Sequence, residues 1–166
     1  MRNRLSFAVA LLLLAMPARA ASPPPTLRIP SLPDRTVAPE SLLGADRSDA
    51  RLEDTEGNVT VYHGLPLLAV LEKGGLETKS MPSQRKLAPG IVVVKARDGY
   101  TVVFSMGELL MHRSDPRVYL VSETAEGPLS ERDGPVRLIV YGDRSRSAYG
   151  LALIEVRYLS ENPPKK

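Results

Sequence analysis

The chain has 166 residues, with no cysteine, no tryptophan, two phenylalanines and two histidines, and a formal net charge of +3. These counts exclude disulfides, thiolate metal sites and cysteine nucleophiles, and they argue against a broad aromatic platform for stacking bases or sugars. The core must therefore be aliphatic and must stabilise the fold without covalent cross-links.

Met1 to Arg4 is a short basic head that runs into the apolar stretch Leu5–Met16, and Ala18-Arg19-Ala20 sets small residues where a signal peptidase reads them. This pattern predicts a cleavable export signal over residues 1–20 and a mature chain that starts at Ala21, in the periplasm or secreted. The apolar stretch is shorter than the about 20 residues that cross hydrocarbon, so no membrane span is expected after cleavage. Loss of Arg2, Arg4 and Arg19 leaves 19 basic and 19 acidic residues. The basic isoelectric point then belongs to the signal, and no nucleic-acid partner is expected.

Prolines 23, 24, 25, 30, 33 and 39 forbid helix across residues 21–40, and residues 21–49 read as a partly extended leader with one edge strand at Thr26–Ile29. From residue 50 to 159 one domain is expected. Arg51–Asp54 and Val59–Tyr62 flank Glu56-Gly57-Asn58 and read as a hairpin. Gly64-Leu65-Pro66 predicts a helix start, Leu67, Leu68, Val70 and Leu71 its apolar stripe, and Gly74-Gly75 its end. Residues 77–89 are polar, contain two prolines, and read as a loop.

Ile91–Ala96 and Thr101–Phe104 are β-branched and aromatic runs joined through Arg97-Asp98-Gly99, which predicts a hairpin with a tight two-residue turn. Ser105 and Glu108 have the spacing of a capping box ahead of a short helix. Arg117–Ser122, Val136–Tyr141 and Leu153–Leu159 complete the strands, and residues 160–166 read as a disordered tail. Five to seven strands, two short helices and no regular alternation predict an α+β fold.

Most standard chemistries fail on residue supply. The chain has no phosphate-cradling glycine loop, no nucleophile elbow and no paired-histidine zinc motif, and His63 and His112 lie far apart. Asp98 has the ordinary work of a turn residue. Arg137, inside the apolar run Val136–Tyr141, reads either as an anion contact or as the polar face of an edge strand. The loop Gly142-Asp143-Arg144-Ser145-Arg146-Ser147 offers two guanidiniums and two hydroxyls, a composition suited to phosphate.

Tyr62-His63-Gly64-Leu65-Pro66-Leu67, Arg97-Asp98-Gly99-Tyr100, Gly127-Pro128-Leu129, Asp133-Gly134-Pro135-Val136-Arg137-Leu138-Ile139-Val140 and Ile154-Glu155-Val156 follow one another with short gaps. In type and order they resemble the sulfite-oxidase-like molybdopterin-binding domains, over roughly residues 50–159. The resemblance implies a compact mixed-β fold, with molybdopterin as the cofactor and oxidoreductase activity in catalytic members. Those members hold molybdenum through a cysteine on a strand near Arg51–Asp54, and this chain has none. Tyr141 and Tyr149 replace the family's proline and tryptophan.

The resemblance implies pterin-phosphate contacts in the basic loop, at Arg144 and Arg146. With Ser145 and Arg137 these are the candidate ligand-binding residues. No catalytic or metal-ligating residue and no cofactor is expected. The expected function is noncatalytic, binding a small anionic ligand or a periplasmic protein partner. The alternative is a molybdopterin-dependent oxidoreductase that holds its cofactor without a protein thiolate.

Overall fold

The structure is a computed structural model and describes residues 22–53 and 56–158. The expected signal, Asp54 and the expected tail lie outside the described residues. The described residues form an α+β fold with ten strands in two sheets and three short α-helices. In chain order these are β1 (Thr26–Arg28), β2 (Arg35–Thr36), β3 (Ser48–Glu53), β4 (Val59–Pro66), α1 (Leu67–Lys73), α2 (Met81–Leu87), β5 (Ile91–Ala96), β6 (Thr101–Ser105), α3 (Met106–Met111), β7 (Val118–Thr124), β8 (Gly127–Pro128), β9 (Arg137–Val140) and β10 (Leu151–Arg157). Among the described residues no helix is long and apolar enough to cross a membrane.

The first sheet has the order β2-β1-β10-β5-β6, and the second runs β3-β4-β7-β8 with β9 also paired to β7. The main core joins Leu27, Val92, Val94, Val102, Phe104, Ile154 and Val156 of the first sheet to Leu65, Leu120, Leu138 and Val140 of the second, with α1 and α3 packed in. A smaller apolar cluster of Ala50, Tyr62, Tyr119, Val121 and Ile139 gathers residues of β3, β4, β7 and β9 outside the main core. Strand period explains the division. In β9, Leu138 and Val140 belong to the main core, while Ile139 belongs to the second cluster and Arg137 shares its parity.

Several expectations need correction. Gly64 to Pro66 are strand rather than helix, because Pro66 is extended (φ −53°, ψ 139°) and serves as the N-cap of α1. The polar segment 77–89 holds α2, which starts with the Ser80 hydroxyl accepting from the Ser83 N–H at 3.3 Å and with Pro82 in the first turn. Its only buried side chain is Leu87, so it has no apolar stripe by which to be read. The strand at Thr26 is not an edge: β1 pairs in parallel with β10 and antiparallel with β2.

The hairpin β5–β6 forms as expected, with Ile91 opposite Ser105 and Lys95 opposite Thr101. Its turn is one residue longer than two, since the Ala96 N–H bonds the Tyr100 carbonyl across Arg97, Asp98 and Gly99. Gly99 takes φ +91°, where a side chain is strained, and the Asp98 carboxylate accepts from the Tyr100 N–H at 2.9 Å. The Ser105 hydroxyl caps α3 by accepting from the Glu108 N–H at 2.9 Å. Glu108 does not close the box; its carboxylate receives Arg146 at 3.2 Å.

Candidate functional site

The side chain of Arg137 is only 5% exposed, and no ion pair compensates it among the described residues. Its Nη1 donates to the Tyr62 hydroxyl at 2.7 Å, and its guanidinium carbon lies 4.9 Å from the Tyr62 ring centre and 4.1 Å from that of Tyr149. Nε has no acceptor, and it is the one buried side-chain nitrogen or oxygen without a hydrogen-bond partner among the described residues. Two aromatic contacts and one hydroxyl soften the cost of burying the cation, but an unpaired buried charge remains expensive.

Arg137 lines a polar pocket of about 260 Å³ together with Leu52, Thr60, Tyr62, Arg132, Asp133, Arg144 and Tyr149. Leu52 comes from β3, Thr60 and Tyr62 from β4, and Arg137 from β9, while the loops on either side of β9 supply the rest. Tyr62 and Arg137 lie deep, whereas Arg132, Arg144 and Thr60 are exposed at the mouth. Tyr149 is 48% exposed, so its ring forms the solvent side of the Arg137 contact. The volume lies below the about 300–1,000 Å³ of pockets that enclose drug-sized ligands, which suits a small ligand.

The basic loop divides. Arg144 lines the pocket, but Arg146 is not part of its lining: its Nε meets Asp143 at 2.7 Å, its Nη1 meets Glu108 at 3.2 Å and its guanidinium stands over the Phe104 ring at 5.1 Å. The Ser145 hydroxyl donates to Asp143, and the Ser145 carbonyl accepts from the Tyr100 hydroxyl. Asp143 is held below the usual carboxylate range by the Ser145 hydroxyl and then by Arg146, and Arg146 is raised chiefly by its bond to Asp143. Arg146 and Ser145 thus anchor the loop, leaving Arg144 free to face the pocket.

Four contributors had no functional reading in the sequence. Tyr62 and Tyr149 stood within recognisable phrases, but nothing in their spacing signalled that both would contact one arginine. Arg132 lies in a polar connection without a pattern. Arg97, in the β5–β6 turn, donates to the Gly134 carbonyl at 2.6 Å, and the Gly150 N–H donates to the Asp133 carbonyl at 3.0 Å. These bonds fix the two segments that carry Asp133 and Tyr149.

The two histidines do not meet in a site. His63 Nδ1 lies 2.9 Å from Asp49 on the neighbouring strand, and His112 ends α3. Among the described residues no group of three His, Cys, Asp or Glu side chains is placed to hold a metal ion. The pocket offers guanidiniums, hydroxyls and one carboxylate. Such donors suit an oxyanion and not a soft metal centre, and Leu52 stands on the strand where the resemblance calls for a thiolate. The molybdenum that molybdopterin carries therefore finds no fitting ligand among these residues, whereas the anionic phosphate of the pterin would meet suitable donors in Arg137 and Arg144. A scan against family models found no match for this chain, and a search of curated proteins found none.

Proposed function

We propose that this chain is an exported, noncatalytic domain of the sulfite-oxidase-like molybdopterin-binding type, which binds a small anionic ligand in the pocket built on Arg137. One observation carries the ligand reading: a guanidinium 5% exposed, with an unpaired Nε and no acidic partner among the described residues, lines a cavity shared with two more arginines. A bound carboxylate or phosphate supplies the missing counter-charge through charge-assisted hydrogen bonds. The basic head, apolar run and Ala18-Arg19-Ala20 support export. The order of phrases along residues 50–159, with an α+β fold of two sheets, supports the fold type.

The absence of cysteine from the chain supports the noncatalytic reading, because a thiolate sets both the affinity and the redox behaviour of molybdenum in catalytic members of the resembled family. The chain's own residues bind and orient. Arg137 and the Tyr62 hydroxyl hold the inner end of the ligand, Arg144 and Arg132 steer its approach, and Tyr149 covers the bound group. The test is titration of the purified protein with inorganic phosphate, followed by calorimetry, with metal analysis in parallel. Saturable binding that Arg137→Gln abolishes is expected, without stoichiometric molybdenum or sulfite oxidation. Molybdenum near one atom per chain with oxo-transfer turnover would overturn the noncatalytic reading, and full affinity in Arg137→Gln would remove the pocket.

A further inference from the structure

The charges around the pocket allow a narrower statement about its ligand, which rests on the anion-binding reading above. Among the described residues three guanidiniums, Arg132, Arg137 and Arg144, line the pocket against the single carboxylate of Asp133. None of the three is engaged in an ion pair among the described residues, whereas the nearby Arg146 is paired with both Asp143 and Glu108. Asp133 forms no ion pair with them; its backbone is bound instead to Ser130 and Gly150. The described residues of the lining therefore hold an excess of two positive charges. One lies buried at Arg137 and the others are exposed at the mouth.

We infer that the pocket is built for an oxyanion ligand with two negative charges rather than one. A monoanion seated against Arg137 neutralises the buried cation but leaves the exposed Arg132 and Arg144 with one carboxylate, Asp133, between the two of them, a remaining excess of one positive charge. A second negative charge on the ligand meets that excess and is attracted by both exposed guanidiniums, an attraction that solvent at the open mouth screens. A phosphate monoester provides both charges on one group, and a short dicarboxylate provides them on two. Both share the chemistry that the pocket selects.

The experiment compares acetate, methyl phosphate and succinate by calorimetry on the purified chain at pH 7.5 and constant ionic strength. At least one dianion is expected to bind about fivefold or more tightly than acetate, the weight of one exposed ion pair, and the gap should narrow as salt is raised. Preference for methyl phosphate identifies a phosphate ligand, and preference for succinate a two-headed carboxylate. Arg144→Ala and Arg132→Ala should each weaken the preferred dianion by a larger factor than acetate and so shrink the preference. Both positions are exposed, so circular dichroism should show an unaltered fold. Acetate binding as tightly as both dianions overturns the two-charge inference and leaves the anion pocket standing. Failure of all three ligands and of inorganic phosphate to bind overturns the pocket reading itself.

Discussion

Replacing Gly64 with alanine should be among the most damaging single-methyl changes in this protein. A Cβ built at Gly64 falls 2.0 Å from the Leu120 carbonyl oxygen, 2.7 Å from the Val121 Cα and 2.8 Å from the Leu120 carbonyl carbon. All three are backbone atoms of β7, so no side chain can rotate away. Carbon and oxygen ordinarily approach to about 3.3–3.6 Å, and β4 must therefore move from β7 by roughly 1 Å. That displacement strains the pairing of Gly64 with Val121 and of Leu65 with Leu120. Losing two ladder bonds at about 1 kcal/mol each, with about 1–2 kcal/mol for disturbed packing around Leu65 and Leu120, gives roughly 3–4 kcal/mol. With a urea slope of about 1.5 kcal/mol/M, the unfolding midpoint should fall by about 2 M. Urea titration followed by circular dichroism measures it. Gly44→Ala is the control, since nothing lies within 4 Å of a Cβ there. A midpoint shift below about 0.5 M for Gly64→Ala would refute the reasoning.

Gly99→Val should destabilise by about 1 kcal/mol or more through strain at φ +91°, seen as a lowered melting midpoint. Arg146→Ala should lower stability by about 1 kcal/mol, because it removes partly screened bonds to Asp143 and Glu108, while phosphate affinity stays within about twofold in calorimetry. The depressed Asp143 carboxyl stabilises its loop fully above its ordinary value of 3.8, and the contribution disappears as pH falls through the lower folded value. The Arg146 N–H, which bonds Asp143 at 3.2 Å, should hold its NMR shift from neutral pH down to about 4 and move only below; a titration centred between about 4 and neutral pH contradicts the assignment.

The hairpins and the cap of α3 were legible because their signals are local. Asp98-Gly99 and the Ser105 hydroxyl act on residues within three positions, and β-branched runs fix β5 and β6 whatever surrounds them. The helix α2 was not legible, because with one buried leucine it is held by its Ser80 cap and by the Gln84 amide donating to the Thr78 carbonyl at 3.0 Å. At the site, Arg137 was visible as a charge within an apolar run, but its burial depends on Tyr62, 75 positions earlier in sequence, and on Tyr149. Arg144 and Arg146 were indistinguishable by composition. What separates them is that Glu108, placed by α3, captures one and not the other.

The place of β10 in the first sheet has a consequence for the order in which the chain can assemble. This strand lies at the centre, with β1 on one side and β5 on the other, so the two ends of the described chain meet only through it. Until residues 151–157 are synthesised, β1 has only the two-residue β2 to pair with, and the inner face of β5–β6 has an incomplete core. Contacts so distant in sequence close late and slowly. A nascent chain cut short of β10 should remain open to proteases, and one that does not close before its last strand arrives stays threadable through a translocation pore, as the proposed export requires.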